Sequence, residues 1–292
     1  MIETKDKVVR IYCEKLNIRA YAVSSLNTVK KINGIHQTTP NASYALGRTI
    51  NAAALLAATL KPDSEQNVTI KFSGSGPLKE IHVQADAKSF VRGYAANPGI
   101  DYLEDIGKIS FSKSIGAGML TVIKDLGLKE PYTTIQPLLS GEIANEIAYY
   151  LASSEQIPSA MILGMNIEPN GILTSSGGIL IQSYPDTDKE VIETLEKNII
   201  NIKKPLSEML EKIDILDALK IILDENPFEI ISTSELQHYC RCSKDLIKKI
   251  VANFGNNEID DMISKDHGAE IVCTFCKKNY NLTEDDLISL KK

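Results

Sequence analysis

Apolar and polar residues alternate along much of the first 184 positions, and a period of two predicts β-strands. The pattern is clearest at residues 8–12 and 18–23, which flank a short polar turn at 14–17 and therefore predict a β-hairpin. The same alternation, or a short apolar run between turn residues, predicts further strands at 68–73, 80–85, 91–94, 118–125, 160–165 and 171–184, the last interrupted at 175–178.

Helical spacing appears at two places within this strand-rich part. Pro40 suits the first turn of a helix over residues 41–60, whose second half is small and apolar on most faces and so predicts burial against a sheet. A second helix is predicted after Ser140, where Ile143, Ile147 and Leu151 recur four residues apart. Strands and helices that do not alternate regularly predict an α+β body over residues 1–184.

The pattern becomes helical after Pro185. Thr187 and Glu190 have the spacing of a capping box, which predicts a helix start. Pro205 predicts a further helix that extends to about Asp224. Residues 185–230 are therefore predicted to form a helical linker arm. Its apolar stripe either packs permanently on the body or on the other helix, or is held by contacts that can be withdrawn. The stripe consists of Leu206, Met209, Leu210, Ile213, Leu216, Leu219 and Ile222.

The last part, residues 231–292, carries two closely spaced cysteine pairs. Cys240 and Cys242 are separated from Cys273 and Cys276 by 30 residues, enough chain to fold back on itself. Four such thiols provide the tetrahedral, all-sulfur set that Zn²⁺ prefers in structural sites. A module of this size is too small to build a sizeable core unaided, so a metal would stabilise it. We therefore predict one Zn²⁺ per chain, bound by these four cysteines.

Short elements are predicted around the thiols. Ser243 can cap a helix, a second short helix follows at 259–264, and residues 270–272 and 280–282 predict a hairpin around the second pair. Thr283 can cap a final helical turn. His238 and His267 could replace a thiol as ligands, but four cysteines complete the set without them.

Composition restricts the class of function. A net charge of −6 and the absence of Trp and of long Lys/Arg runs disfavour a nucleic-acid partner. The first residues lack the apolar core of a signal peptide, and no apolar run approaches the length of a membrane helix. We therefore expect a cytoplasmic protein, where thiols stay reduced and clustered cysteines bind metal or do redox work. Cys13 stands alone and is expected to be an inert thiol.

Other candidate chemistry is weak, and no enzymatic activity is expected. The glycines at 74 and 76 precede a strand rather than a helix, which favours a hairpin turn over a phosphate-binding loop. Ser175 and Ser176 lack the GxSxG context of a hydrolase nucleophile. His82 has no second ligand at metal-binding spacing, so a structural role is expected.

Short motifs are spread along the whole chain, namely Gly74-Ser75-Gly76-Pro77-Leu78, Val91-Arg92-Gly93-Tyr94 with Asn97-Pro98, Ser140-Gly141-Glu142-Ile143-Ala144, Ser154-Glu155-Gln156-Ile157-Pro158, Cys240-Arg241-Cys242-Ser243 and Cys273-Thr274-Phe275-Cys276. With these motifs the chain resembles the heat-shock protein 33 family of redox-regulated molecular chaperones. The CxC and CxxC motifs about thirty residues apart are the specific ones, and the upstream motifs follow in the family's order. Ser75 departs from the acidic residue common in relatives, which leaves the mechanism untouched.

The resemblance implies a chaperone that is inactive while four thiolates hold Zn²⁺. Peroxide with mild unfolding, or hypochlorous acid, would form the disulfides Cys240–Cys242 and Cys273–Cys276 and release the metal. The module and the linker would then unfold, and residues 1–184 would bind unfolded or oxidatively damaged clients. The resemblance also implies a homodimer in the active state and no need for ATP.

Two other classes compete with this interpretation. A zinc-ribbon module for nucleic-acid or partner docking is disfavoured by the acidic charge and by the lack of interleaved aromatic and basic residues. A thiol oxidoreductase would carry its CxxC at a helix N-terminus in a βαβ unit, whereas here a hairpin is predicted around it.

Overall fold

Two large β-sheets with helices packed on them form the N-terminal part of the molecule, which confirms the predicted α+β class. The computed structural model describes residues 5–100 and 110–291, within which thirteen strands and ten helices occur. The chain divides into two compact units between His238 and Tyr239. The predicted functional division at 184 and 230 is a different subdivision and stays a proposal.

The first sheet contains the predicted N-terminal hairpin, and its neighbouring strands are antiparallel. Its spatial order is β10-β1-β2-β9-β8. The strand predicted at 171–184 forms as Leu173–Ser183 and is not interrupted at residues 175–178, because Gly177 and Gly178 pair with strands on both sides. The strands are β1 (Lys7–Cys13), β2 (Ile18–Ser24), β8 (Ser159–Ile167), β9 (Leu173–Ser183) and β10 (Glu229–Glu235).

The second sheet has the order β11-β5-β4-β3-β6-β7, in which β11 runs parallel to β5 and the other pairs are antiparallel. The turn that begins at Gly74 joins two paired strands, so the hairpin interpretation of this glycine-rich stretch is confirmed. A Cβ atom on Gly76 would lie 2.5 Å from the backbone oxygen of Ser114, which explains a glycine there. The strands are β3 (Asn67–Gly74), β4 (Glu80–Asp86), β5 (Phe90–Ala95), β6 (Gly118–Asp125), β7 (Tyr132–Pro137) and β11 (Gln237–His238).

One helix organises the main core. The predicted helix after Thr39 spans Pro40–Ala58, contacts strands of both sheets, and is buried along almost its whole length. The helix predicted after Ser140 also forms, with its three apolar residues at four-residue spacing fully buried. The helices of this region are α1 (Leu26–His36), α2 (Pro40–Ala58), α3 (Phe111–Ile115) and α4 (Ile143–Ser154).

The linker arm forms three helices rather than the predicted two. The expected continuous helix from 205 to 224 breaks because Asp214 is extended and its carboxylate accepts the N–H of Leu216 at 2.9 Å, which starts a new helix. The prediction of a capping box at Thr187 is wrong, since the hydroxyl of Thr187 donates to the carbonyl of Asn17 instead of capping the helix. The linker helices are α5 (Lys189–Ile200), α6 (Leu206–Met209) and α7 (Ile215–Ile222).

The linker helices cover one face of the first sheet, while α2 lies on the other. Alternate residues of β1 and β2 point to opposite sides, so Val8 joins the main core and Val9 joins a second apolar cluster beneath the linker. Leu206, Met209, Leu219 and Ile222 of the predicted stripe belong to that second cluster. In the structure the stripe thus packs on the body.

The C-terminal unit is built from short elements, as predicted. Ser243 accepts the N–H of Leu246 and caps the first helix, and Thr283 forms a capping box with Asp286 in the last one. A two-stranded antiparallel hairpin lies between the helices. The elements are α8 (Lys244–Val251), α9 (Asn256–Asp266), β12 (Gly268–Val272), β13 (Asn279–Thr283) and α10 (Glu284–Ile288).

Candidate metal centre

The four predicted cysteines come together in the C-terminal unit. Cys240 and Cys242 lie in the irregular segment before α8, whose N-terminus Ser243 fixes. Cys273 and Cys276 lie in the turn between β12 and β13. This turn is closed at both ends, because the N–H of Cys273 donates to the carbonyl of Lys278 at 2.9 Å and the N–H of Lys277 donates to the carbonyl of Cys273 at 2.8 Å. The hairpin therefore presents its two thiols from one tight turn.

The sulfur atoms of all four cysteines lie within 4.8 Å of one another. The Sγ atoms of Cys240 and Cys273 are 3.7 Å apart, and those of Cys242 and Cys276 are 3.3 Å apart. Four thiolates at about 2.3 Å from a central Zn²⁺ would be separated by about 3.8 Å in a tetrahedron. The observed cluster therefore fits a single metal ion, and its all-sulfur donor set suits zinc.

Hydrogen bonds give the thiols of this cluster different electrostatic environments. Burial raises the pKa of Cys242, but hydrogen bonds from the Tyr280 hydroxyl and from the other thiols outweigh it and lower that pKa to about 7. Burial raises the pKa of Cys276 to about 12, against the opposing effect of the Lys278 N–H.

The core that surrounds the thiols is small. A salt-bridge network supplements it, since Lys244 and Lys248 of α8 both contact the carboxylate of Asp286 in α10 at 2.6 Å. These lysines hold the pKa of Asp286 well below its usual range. The buried apolar residues described in this unit are Ile247, Val251, Ile259, Tyr280, Leu282 and Leu287.

The alternative ligands and nucleophiles do not form a second site in the described residues. His267 contacts Glu284 at 2.7 Å, and His238 belongs to the other compact unit. Ser175 donates to the carbonyl of Ser207, and Ser176 lies in a buried network with Ser25. Among the described residues, the cysteine cluster is the one group in which three or more potential metal ligands lie close together.

Two further residues bear on the interpretation of the site. Cys13 is fully buried at the end of β1, where its thiol donates to the carbonyl of Pro227 at 3.3 Å. Tyr280 was not anticipated from the sequence. The hairpin pattern predicts that it lies in a strand, but only the fold shows that its hydroxyl donates to the sulfur of Cys242 at 3.1 Å.

The fold and the cluster together define a two-sheet α+β protein with a small C-terminal unit that can hold one metal ion. The family model described as "Hsp33 protein" matches residues 6–283, and the chain belongs to this family. Within the described residues, no helix has both the length and the apolar character needed to cross a membrane.

Curated relatives and a solved structure extend the similarity to nearly the whole chain. The 33 kDa chaperonin of Oceanobacillus iheyensis is 39% identical over 99% of this chain and 100% of its own. That of Aquifex aeolicus is 39% identical over 95% of this chain and 87% of its own. The crystal structure of the 33 kDa chaperonin (heat shock protein 33 homolog) of Thermotoga maritima superimposes with a TM-score of 0.88 at 32% identity and covers 98% of both chains. These relatives are named as chaperonins, which is not an enzyme class, in agreement with the prediction from sequence.

Proposed function

We propose that this protein is a redox-regulated, ATP-independent holdase chaperone. The observation that carries the proposal is the meeting of four thiols at one metal-sized site inside a unit with a very small core. In the reduced state Cys240, Cys242, Cys273 and Cys276 hold one Zn²⁺ and the protein is quiescent. Oxidation of the thiols releases the metal and exposes surface that binds unfolding proteins.

The energetics of the C-terminal unit support a metal-dependent switch. Where a small module folds around zinc, the free energy of metal binding is part of the free energy of folding and is on the order of 10 kcal/mol. Whole domains are stable by a similar amount. Zinc also keeps its sulfur ligands as thiolates, the form that oxidants attack. Loss of the thiolates therefore unfolds the unit.

The linker is the second part of the proposed switch. Its helices cover an apolar face of the first sheet to which Val9, Ile11, Ile18 and Ile181 contribute. Release of the linker would uncover this face for clients. We accordingly assign residues 1–184 to client binding and dimerisation, 185–230 to the linker and 231–292 to the switch.

The proposed disulfides are Cys240–Cys242 and Cys273–Cys276. Proximity does not select this pairing, because all four sulfurs are mutually close and the 3.3 Å approach joins different motifs. Peptide mapping of the oxidised protein without reductant tests it, since trypsin can cleave after Lys244. Trypsin can also cleave after Arg241, which lies between Cys240 and Cys242. Pairing within motifs therefore joins the Cys240 and Cys242 peptides only to each other and leaves the peptide of Cys273 and Cys276 separate. Pairing between motifs links that peptide to the others and would contradict the assignment.

The proposed partners are unfolded or oxidatively damaged proteins and, in the active state, a second copy of the chain. The proposal places this chemistry in the cytoplasm, where reduced thiols can bind zinc and oxidative stress changes their state. Neither nucleic acid nor a membrane is proposed as a partner, since the net charge of −6 gives no general attraction to phosphates.

The decisive experiment follows zinc and client protection together. Reduced, zinc-loaded full-length protein is treated with hydrogen peroxide at elevated temperature while a chromogenic chelator records zinc release. Samples are then tested for suppression of light scattering by a chemically denatured client. We expect one zinc per chain to leave and anti-aggregation activity to rise with it, and reductant to reverse both changes.

Two variants make this test specific. Cys13→Ser removes the thiol outside the cluster and should respond as the unmodified protein does. Cys240→Ser removes one ligand and should fail to retain zinc through chelator competition. Zinc that remains bound after peroxide, or that leaves with no gain in client protection, would refute the switch. Catalytic disulfide exchange at low protein concentration would favour an oxidoreductase instead.

A further inference from the structure

The side chain of Tyr280 makes a hydrogen bond to one of the four cysteines of the candidate metal centre. Tyr280 is the second residue of β13, pairs with Ile271 across the hairpin, and is 6% exposed in the core of the C-terminal unit. Its hydroxyl donates to the Sγ atom of Cys242 at 3.1 Å. Because the ring is fixed by the core and the strand, the O–H group has a defined direction toward this sulfur.

A donor at this position has a clear chemical effect on a thiolate. Four thiolates around Zn²⁺ carry a net charge of −2, and a hydrogen bond to one sulfur withdraws part of its negative charge. Groups that hydrogen-bond to metal ligands hold them in place, and their loss costs about 10- to 100-fold in metal affinity. Less charge on the sulfur also makes it a weaker nucleophile toward an oxidant.

We propose that Tyr280 is a positioning residue for the metal centre. Its hydrogen bond holds the Cys242 thiolate on the metal and slows the reaction of that thiolate with peroxide. This inference rests on the proposed zinc-thiolate switch and identifies a residue that sets its threshold. Two features would then protect the Cys242 thiolate at low peroxide concentrations. One is the bond to the metal, and the other is the hydrogen bond from the Tyr280 hydroxyl.

The oxidation that Tyr280 slows takes place in two steps. A thiolate sulfur attacks one oxygen of hydrogen peroxide, the O–O bond breaks, hydroxide leaves, and a sulfenic acid forms. A second thiolate attacks that sulfur, the S–O bond breaks, a second hydroxide leaves, and a disulfide forms. Two thiolates are oxidised by two electrons in total and one peroxide is reduced. The hydrogen bond acts on the first step when Cys242 is the attacking sulfur.

The test is Tyr280→Phe in the full-length protein, which keeps the ring and removes the hydroxyl. Tyr132→Phe is the matched control, because it removes a 61% exposed tyrosine hydroxyl from the other compact unit. Cobalt(II) loading reports on the sulfurs directly through the sulfur-to-metal charge-transfer bands, and the d–d bands report whether four-thiolate tetrahedral coordination is intact.

For Tyr280→Phe we expect unchanged d–d bands and charge-transfer bands at lower energy, since the freed sulfur is more electron-rich. We also expect zinc affinity in chelator competition to fall about 10-fold and peroxide-driven zinc release to become faster. Charge-transfer bands, zinc affinity and release rate that all equal those of Tyr132→Phe would overturn the proposal.

A fluorinated tyrosine and the cobalt spectra distinguish a folding defect of Tyr280→Phe, or a failure of the proposed holdase function, from a failure of the Tyr280 proposal. If Tyr280→Phe does not fold around cobalt, biosynthetic 3-fluorotyrosine provides a stronger donor with the same packing. It should move the charge-transfer bands to higher energy, and an absence of movement would overturn the proposal. The spectra do not depend on chaperone activity. A shifted spectrum in a protein that peroxide never activates would therefore support the Tyr280 assignment while the proposed holdase function fails.

Discussion

At the scale of single residues, the carboxylate of Glu146 holds a loop of the body through several hydrogen bonds to one oxygen. It lies in the first turn of α4 and is 1% exposed. One of its oxygens accepts the backbone N–H groups of Leu139, Ser140 and Gly141 and the Ser140 hydroxyl, at 2.6 to 3.0 Å. A single oxygen thus fixes the loop that leads into the helix, which explains an acidic residue on a buried face.

Glu146→Ala should destabilise the first compact unit by about 3 kcal/mol, because three backbone N–H groups and one hydroxyl lose the charged acceptor that they share. Glu146→Gln should cost less, since a neutral carbonyl still accepts hydrogen bonds but more weakly than a carboxylate. Urea unfolding monitored by far-UV circular dichroism measures both. Glu193→Ala, on an exposed position of α5, is the control and should change stability by about 0.5 kcal/mol or less. Equal stabilities for Glu146→Ala and the control would contradict the role given to this loop.

At the scale of secondary-structure elements, Asp286 connects three parts of the C-terminal unit. It caps α10 through the N–H of Thr283, and its carboxylate contacts Lys244 and Lys248 of α8. Because its pKa in the folded unit lies below that of the unfolded chain, its contribution to stability is present above about pH 4 and is lost as the pH falls further. The charge is therefore fully effective at neutral pH.

Asp286→Asn should lower the temperature at which the reduced protein releases zinc at pH 7, since α8 and α10 lose their ionic connection while the cap remains. A zinc-sensitive dye during a thermal ramp measures this temperature. Asp261→Asn is the matched control, because Asp261 pairs with Lys265 on an exposed helix face, where such pairs contribute little. A release temperature for Asp286→Asn equal to that of Asp261→Asn would show that this network does not stabilise the unit.

The attachment of the linker depends on another element-level contact, the close approach of α6 to β8. A Cβ atom on Gly164 would lie 2.7 Å from the backbone nitrogen of Ser207 and 2.9 Å from two carbons of Leu206. The three nearest atoms all belong to the start of α6, so a methyl group at this position pushes the linker helix rather than the sheet. Overpacking of this kind costs about 1–3 kcal/mol.

Gly164→Ala should therefore loosen the linker in the reduced, zinc-bound protein. We expect faster tryptic cleavage at Lys203 and Lys212 and a raised basal level of client protection. Gly34→Ala, where a Cβ atom meets nothing within 4 Å, controls for the added methyl group. Cleavage rates that match the control would mean that α6 does not restrain the linker.

At the scale of the whole molecule, the sequence predicted most elements but not how the chain returns to its own N-terminal sheet. The α+β class, the hairpin at the N-terminus, α2 and the C-terminal module follow from periodicity, proline placement and caps. The edge strand Glu229–Glu235 was missed because it pairs with Lys7–Cys13, more than 200 residues earlier, and its residues are mostly exposed. The strand follows the linker directly, so the linker is anchored to the first sheet at both of its ends.

The candidate site was predictable to the level of its donor set. Cysteine type and spacing identify four thiols, because ligand chemistry is local in the sequence. The donor to Cys242 was not predictable, since Tyr280 lies 38 residues away and an alternating strand gives no sign of which atom its hydroxyl meets. The break at Asp214 was likewise missed. Its causes are a local cap and a salt bridge to Lys7, a residue distant in sequence.

Cys13 provides a test of whether activation moves the linker off the sheet. In the structure, the thiol of Cys13 is fully buried in the apolar cluster beneath α7 and donates to the carbonyl of Pro227. If the four switch cysteines are oxidised to disulfides, Cys13 is the one thiol left among the five cysteines of the chain. Alkylation of the peptide that contains Cys13, quantified by mass spectrometry, therefore reports on this interface.

Alkylation of Cys13 should be very slow in the reduced, zinc-bound protein and at least about 10-fold faster after peroxide treatment, because a buried thiol reacts only when its surroundings open. Protein unfolded in denaturant defines the maximal rate, and Gly164→Ala in the reduced state should give an intermediate one. The readout is specific to the linker-covered face, since Cys13 belongs to the apolar cluster that this face forms with the linker helices. Oxidised, zinc-free protein that protects a client while Cys13 stays unlabelled would mean that the linker remains in place and that clients bind elsewhere.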